Sequence, residues 1–280
     1  MKKNKNLYLI ALLPFILMVL AYEILPLVGI VTKSFLAEGT GTFTLGNFQN
    51  IFSKKLYQTA IINSVIISIF SSIVGLIVAF FGSKWANESS EKVKNTFMSI
   101  LNMVSNFSGI PLAFAYIILL GNVGVLVNFG KAFGIDALAT FNIYSMQGLL
   151  LTYIYFQIPL AILLMIPSFS SLKPQWKEAV SLLGGNSFHY WFKVVIPVLF
   201  PAILGTFSVL FSNALSAYAT AYALLMNNIS LLPIRISEQF VGDVVQRVEF
   251  GSALAVVMML LMVISILLQR YILKQNSEVK

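Results

Sequence analysis

The chain has 280 residues, of which 58% are hydrophobic and only 10% are charged. Soluble domains carry about 25% charged residues, so a lipid bilayer rather than water must surround much of this chain. The net charge of +8 indicates membrane topology rather than nucleic-acid binding, because no basic patch with interleaved aromatic residues occurs. The chain has no cysteine and one histidine, His189, which excludes disulfides, thiolate metal sites and multi-histidine metal sites.

Apolar runs in chain order predict the membrane-spanning helices. A bilayer core of about 30 Å requires roughly 20 apolar residues per helix. Six segments meet this requirement: 7–32, 57–82, 97–121, 146–172, 196–226 and 250–272. The first segment follows a basic stretch and is too long for a signal-peptide core, so we expect an uncleaved first span. We therefore predict an all-α integral membrane protein with one transmembrane domain over residues 1–280.

The segments between the spans set the predicted orientation. If the N-terminus is cytoplasmic, twelve of the eighteen lysine and arginine residues fall on the inner side and six on the outer side. Inner loops of membrane proteins carry the excess of positive charge. We therefore expect both termini in the cytoplasm, together with the short charged second loop (83–96) and the fourth loop (173–195). The semi-apolar third loop (122–145) is expected outside, with a short helix at the membrane surface.

The fourth loop has the clearest local pattern. Pro174 suits the first turn of a helix, where its missing N–H costs nothing. Apolar residues then recur at the spacing of one helical face, at Trp176, Ala179, Val180 and Leu183. Gly184 and Gly185 are expected to end this helix, and Ser187 to cap a second one. The same spacing repeats in Phe188, Trp191, Phe192 and Val195 before Pro197 opens the fifth span.

Two short amphipathic helices joined by a Gly-Gly bend are therefore predicted between the fourth and fifth spans. Each would turn one apolar face to the membrane domain and one polar face to something else. Periodicity leaves two interpretations open. The pair is either an interfacial connection between two spans or a surface that docks another protein.

The same loop resembles the permease subunits of binding-protein-dependent ABC importers. Their motif is Glu-Ala-Ala, three residues, Gly, nine residues, and then Ile-x-Leu-Pro. The residues that match in type and spacing are Glu178, Ala179, Val180, Gly184, Val194, Ile196 and Pro197. The three departures keep apolar character, with Val for the second Ala, Val for Ile and Ile for Leu. A Leu-Gly-Asn-Phe segment before the second span (45–48) is also similar to relatives.

This resemblance implies the type I importer fold, with a cytoplasmic coupling helix between helices four and five. Glu178, with Ala179 and Val180, would contact a groove of a cytoplasmic ABC ATPase dimer, and Gly184 and Gly185 would supply the bend. Further expected partners are a second permease subunit, as a heterodimer, and an extracytoplasmic solute-binding protein. The implied location is the bacterial inner membrane, with several passes.

The chain itself is expected to bind no nucleotide and to be no enzyme. A Walker A loop requires G-x-x-x-x-G-K-[ST]. The nearest approach is Gly130-Lys131, but Ala132 follows it and Val125 stands where the first glycine belongs. We therefore expect ATP on the partner subunit and no cofactor or metal on this chain.

Polar residues inside the predicted spans are candidates for the solute pathway. They are Glu23, Asn102, Asn106, Asn213, Ser216 and Thr220. Asn213, Ser216 and Thr220 share one helical face at i, i+3 and i+7. The alternative role for these residues is hydrogen bonding between helices, and for Glu23 a gating or structural role.

The transported solute has only a weak signal. Related sugar permeases often carry Asp before the motif glycine, whereas this chain has Leu183. The Leu-Gly form is more similar to the polyamine, phosphonate and iron branch, which implies a small polar or charged solute such as a polyamine. A sugar or oligosaccharide permease, or an ATP-independent secondary transporter, remains as an alternative.

Overall fold

The computed structural model describes residues 5–241 and 246–278, which are helical apart from loops and one isolated bridge between Leu36 and Phe43. In this part of the chain, six helical stretches are long and apolar enough to cross a membrane. They are Leu12–Ser34, Lys55–Glu88, Ile110–Phe133, Met146–Ser170, Ser187–Leu215 and Val248–Gln275. The all-α class and the number of spans predicted from the sequence are therefore confirmed.

The individual helices are shorter and more numerous than these spans. They are α1 (Lys5–Val19), α2 (Leu25–Ser34), α3 (Gly46–Ser53), α4 (Lys55–Glu88), α5 (Glu91–Ser105), α6 (Ile110–Leu120), α7 (Val125–Phe133), α8 (Asp136–Ala139), α9 (Met146–Ser170), α10 (Pro174–Leu182), α11 (Ser187–Tyr190), α12 (Ile196–Leu215), α13 (Tyr218–Leu225), α14 (Leu232–Phe240) and α15 (Val248–Glu278). A short helix, α7, lies within the predicted third loop, but it also forms the second half of the apolar stretch Ile110–Phe133. This stretch begins 13 residues later than the predicted third span.

Three boundary predictions are wrong. The predicted third span, 97–121, is broken between Ser105 and Ile110, and the predicted fifth span, 196–226, is broken at Ser216 and Ala217. Hydropathy averaged over a span does not register a break of two to four residues. The second loop is also mostly helical, because α4 continues to Glu88 and α5 begins at Glu91. No helix-breaking residue occurs there before Ser89 and Ser90.

Two π-helical turns widen the helices just before prolines. One joins α1 to α2 (Leu20–Ile24) and the other joins α11 to α12 (Trp191–Val195). Pro26 and Pro197 stand two residues after these turns. Proline lacks an N–H and its ring collides with the carbonyl four residues earlier, so a wider turn relieves the collision. Continuous helix therefore runs from Ser187 into α12, and Pro197 lies at its first turn as predicted.

The described residues form two compact units. The first consists of the residues up to Gln58 and of Arg235–Leu260. The first span buries none of its most apolar stretch. Elsewhere in this unit, the Tyr57 and Phe250 rings lie 4.9 Å apart, and the Arg247 guanidinium lies 4.7 Å above the Phe250 ring. Arg247 Nε also donates to Glu38 Oε1 at 2.8 Å.

The second unit consists of Thr59–Ile234 and the residues from Leu261 onward. Its centre is α9, of which 56% of the most apolar stretch is buried. Small residues on α4 permit close approach to α9: a Cβ at Gly82 would lie 2.9 Å from Ile162 Cδ1. Ser83 Oγ donates to the Ile162 carbonyl at 3.2 Å. Close contact of backbones through small residues is the usual way in which membrane helices pack.

Candidate functional site: an exposed connecting helix and a cavity between broken helices

Helix α10 begins as the sequence predicts. Lys173 precedes it in extended conformation, and Pro174 occupies the first turn. None of the residues of α10 is buried. This helix connects the fourth and fifth spans and is therefore held mainly through its two ends.

The C-terminal end of α10 is a Schellman turn. Gly184 has φ +71°, its N–H donates to the Ser181 carbonyl at 3.0 Å, and the Gly185 N–H donates to the Val180 carbonyl at 2.9 Å. Only glycine adopts this left-handed conformation without steric cost. A Cβ at Gly185 would lie 2.6 Å from Val180 Cγ1. The predicted Gly-Gly bend is present, and both glycines have a steric reason.

The start of the next helix differs from the prediction. Asn186, not Ser187, is the cap: its side-chain Oδ1 accepts from the His189 N–H at 3.1 Å. The His189 Nδ1 also lies 2.8 Å from the same oxygen. Asparagine and serine are about equally good caps, and Asn186 stands one residue closer to the bend.

The surface of α10 is more exposed than expected. Glu178 and Ala179 are exposed, and Val180 is half-buried. Leu182 is 89% exposed and Leu183 88% exposed. The expectation that the Leu183 face packs on the membrane domain is therefore wrong. Two adjacent leucines stand clear of the rest of the described chain, beside Glu178.

A cavity of about 420 Å³ lies where the two broken spans meet. Residues from the α5–α6 break, the α12–α13 break and the middle of α9 line it. They are Ser105, Ser108, Gly109, Phe156, Leu160, Asn213, Ser216, Ala217, Tyr218, Ala219 and Thr220. Phe156 and Leu160 flank the midpoint of α9, so the cavity lies at half the depth of that span. Broken helices occur in membranes where they line such a cavity.

Side chains from distant parts of the chain satisfy the backbone at both breaks. Thr220 Oγ1 donates to the Gly109 carbonyl at 3.2 Å and thereby connects the two breaks. The buried Tyr153 hydroxyl donates to the Ala217 carbonyl at 2.6 Å. Gly109 has φ +72°, which favours glycine at this turn. The Gly109 carbonyl also accepts from the Ala113 N–H at 3.2 Å, so Thr220 adds a tertiary bond to a carbonyl that is already paired. The Tyr153 hydroxyl supplies a donor to the Ala217 carbonyl, and an unpaired carbonyl would be costly inside a membrane.

The structure brings together three of the six predicted pathway residues. Asn213, Ser216 and Thr220 all line the cavity. Asn102 and Asn106 are exposed and do not line it. The Asn106 side chain instead donates to the Asn102 carbonyl at 2.7 Å, at the end of α5. Glu23 belongs to the first unit, where it is exposed in the π-helical turn.

Sequence reasoning missed several residues of this cavity. Ser108, Gly109 and Phe156 line it without having been proposed as pathway residues. Tyr153, which supports the second break, was also missed. A signal was present for the first break, because Gly109 and Pro111 follow a polar run and punctuate helices. No comparable signal marks Phe156 or Tyr153.

Comparison with known proteins identifies the class. The family described as "Binding-protein-dependent transport system inner membrane component" matches residues 71–277. The chain belongs to this family, and is therefore a permease subunit of an ABC importer and a multi-pass component of an inner membrane. The family consists of transport components rather than enzymes, in agreement with the expectation from the missing Walker A loop.

Particular relatives show how far the likeness extends. A probable sulfate transport system permease protein from Prototheca wickerhamii is 25% identical over 76% of this chain and 80% of its own. A spermidine/putrescine transport system permease protein homolog from Mycoplasma genitalium is 24% identical over 80% of this chain and 73% of its own. A bacterial alginate ABC transporter, solved in complex with an alginate pentasaccharide-bound periplasmic protein, matches with a TM-score of 0.73 at 16% identity, over 96% of this chain and 94% of that chain.

Proposed function

We propose that this chain forms half of the solute pathway of an ATP-driven importer and that α10 docks in a groove of a separate ATPase, which binds the ATP. The observation that carries this proposal is the exposure of Leu182 and Leu183, at 89% and 88%. Exposed apolar patches with a polar rim mark interaction sites, and Leu182 adjoins the exposed polar residues Lys177 and Ser181 of the same helix. They stand beside the exposed carboxylate of Glu178, the first residue of the motif.

Co-purification tests this docking. The chain is extracted in mild detergent from cells that express the neighbouring transporter genes, and the bound ATPase is quantified. We expect the double variant Leu182→Ser, Leu183→Ser to lose most of the ATPase, while its own abundance is unchanged because both side chains are exposed. Full recovery of the ATPase with this variant would contradict the docking role of α10.

We propose a cytoplasmic position for both termini and for α10, as the lysine and arginine distribution favours. The chain contains no cysteine, so single cysteines can be introduced without removing others. Ser181→Cys in α10 should react with an impermeant maleimide only after the membrane is opened. Thr40→Cys, in the predicted outer loop, should react in intact cells. The reverse pattern would overturn the orientation.

We propose that the cavity at the two helix breaks belongs to the solute pathway and carries a small polar solute. Its lining offers hydroxyl, amide and aromatic groups, among them Asn213, Ser216 and Tyr218, and includes no charged residue. A polyamine, the solute suggested by the sequence, would therefore need its balancing carboxylates from the second permease subunit. Half of the pathway is expected to come from that subunit, as a heterodimer, and the solute to arrive on a binding protein.

Uptake assays distinguish the candidate solutes. Cells or proteoliposomes with the complete importer are given labelled spermidine, sulfate or an alginate oligosaccharide in parallel. Asn213→Leu should lower uptake of the true solute several-fold, whereas Asn102→Leu, outside the cavity, should leave it within about twofold. Equal loss of uptake with both variants would show that the cavity is not part of the solute pathway.

A further inference from the structure

A second cavity lies beside α10, on the side of the second unit where α4 ends. Its volume is about 290 Å³, just below the range of about 300–1,000 Å³ for ligand pockets and large enough for a headgroup-sized ligand. Its polar lining consists of Lys84, Asn87, Glu88, Lys177, Ser187 and Tyr190. Neither the motif nor the solute pathway accounts for these residues.

Neither of the two lysines of this cavity, Lys84 and Lys177, forms an ion pair with a carboxylate of the described residues. The Lys84 ammonium lies 4.6 Å above the Trp191 ring. Glu88 stands four residues further along α4, but a lysine that precedes a glutamate at this spacing is the weaker orientation for an ion pair. An ammonium held on an aromatic ring keeps its charge and its N–H donors available on the cavity side.

Neutral donors add to the two ammonium groups. The Ser187 hydroxyl, the Tyr190 hydroxyl and the Asn87 amide line the same cavity. Pro174, also in the lining, begins α10, so the positive end of that nine-residue helix faces this region. Lysines together with hydroxyl and amide donors are a suitable environment for phosphate oxygens.

Tryptophans indicate the depth of the cavity. All three tryptophans of the chain are close to it in sequence or space: Trp85 follows Lys84, Trp176 precedes Lys177, and Trp191 lines the cavity. Tryptophan is enriched at the level of the lipid headgroups. The cavity therefore lies where a phospholipid phosphate is available at high local concentration.

We propose that this cavity binds the phosphate group of an anionic phospholipid, with Lys84 on α4 and Lys177 on α10 as its two cationic contacts. A lipid held between these helices would tie the first turn of α10 to the membrane surface. Leu182 and Leu183, at the other end of α10, stay free for a protein partner. This inference does not depend on the identity of the solute or on ATPase docking.

Native mass spectrometry of the full-length chain tests the proposal. The protein is delipidated and titrated with phosphatidylglycerol or with phosphatidylcholine of the same acyl chains. We expect one phosphatidylglycerol to bind at least tenfold more tightly than phosphatidylcholine, because each of the two lysines near the headgroups contributes about a fivefold gain for anionic lipid. Lys84→Gln with Lys177→Gln should abolish this preference.

The matched control is Lys92→Gln with Lys193→Gln, which removes the same charge from exposed lysines on the same predicted side of the membrane. It should keep the preference. Equal loss with the control pair would reduce the effect to general charge attraction and overturn the site. Lys177→Gln alone, at an exposed position, should weaken phosphatidylglycerol binding about fivefold even if the double variant folds poorly.

Two further measurements test the charge of the ligand and whether it is a lipid or a soluble phosphate ester. Glu88→Gln should strengthen phosphatidylglycerol binding, because it removes the one acidic group of the lining; weaker binding would contradict an anionic ligand. Glycerol phosphate at millimolar concentration should fail to displace the lipid. Displacement at that concentration would assign the site to a soluble phosphate ester instead of a lipid.

Discussion

Helix α10 and the broken helices around the cavity both end inside the second unit. The backbone carbonyls at these ends accept hydrogen bonds from different kinds of donors. At α10, the last carbonyls accept from Gly184 and Gly185, which follow directly in the chain. At the cavity, the Gly109 carbonyl accepts from Thr220 and the Ala217 carbonyl from Tyr153, which are 111 and 64 residues away. The arrangement at α10 is local, whereas at the cavity tertiary bonds add to local ones, such as the bond from the Ala113 N–H to the Gly109 carbonyl at 3.2 Å.

The difference separates two kinds of mechanical behaviour. Because α10 buries no residue and is capped by its own neighbours, its shape does not depend on packing against the rest of the second unit. If α10 docks on a partner, it can therefore move as one piece. The cavity walls keep their shape only while α9, α6 and α13 stay packed. Changes in α10 should therefore alter transport without altering stability, and changes at the cavity should alter stability as well.

The largest expected effect is that of Glu178→Lys. If α10 docks on an ATPase, reversal of this exposed charge places a like or unmatched charge in the interface, which costs several kcal/mol. Uptake should fall about a hundredfold or more. The quantities measured are solute uptake and chain abundance in the same membranes.

The matched control for this charge reversal is Glu91→Lys, at an exposed position in the first turn of α5. It should lower uptake by no more than about twofold, because an exposed charge near a helix end contributes only a few tenths of a kcal/mol to 1 kcal/mol. Normal uptake by Glu178→Lys at unchanged abundance would remove the basis for a coupling role of α10.

A smaller effect is expected at the bend. Gly184→Val forces a branched side chain into a left-handed conformation that costs about 1–2 kcal/mol, so α10 should lose its last turn and uptake should fall about tenfold. Gly184→Asn, which tolerates this conformation better, should stay within about threefold. The thermal midpoint of the chain in detergent should not change for either variant, and a large fall with Gly184→Val would show that the bend supports the core.

The sequence predicts α10 well because its determinants are local. A proline at the first turn, a helical apolar spacing and two glycines define both ends within about twelve residues, from Pro174 to Gly185. The exposure of Leu183 was not predictable from these signals, because periodicity shows which residues share a face but not whether anything covers that face.

The cavity was only partly predictable, and for a physical reason. Asn213, Ser216 and Thr220 are polar residues on one face of an apolar segment, which is a readable signal. The helix breaks themselves depend on bonds such as Tyr153 to Ala217, between residues that the fold brings together. Asn102 and Asn106 do not line the cavity. The Asn106 side chain donates to the Asn102 carbonyl, because polar residues in an apolar stretch can also bond to the backbone at a helix end.

Loss of the Tyr153 hydroxyl should affect stability more than uptake. Tyr153→Phe leaves the Ala217 carbonyl without its donor in a buried position, which costs about 1–3 kcal/mol. We expect a lower thermal midpoint in detergent and a few-fold fall in uptake. Tyr155→Phe, half-buried on the same helix, is the control and should leave the midpoint nearly unchanged; an equal fall for both would assign the effect to α9 packing.

The smallest expected effect is that of Thr220→Val, which keeps the side-chain shape but removes the bond to the Gly109 carbonyl. Interhelical hydrogen bonds in membranes contribute about 0.6 kcal/mol, so stability should fall only slightly. Thr152→Val is the matched control, because its hydroxyl bonds only to the Gly148 carbonyl of its own helix. Since the Thr220 hydroxyl bond connects one break to the other, its loss should change solute uptake more than Thr152→Val does at equal stability. Indistinguishable uptake for the two variants would mean that the two breaks hold the cavity open independently.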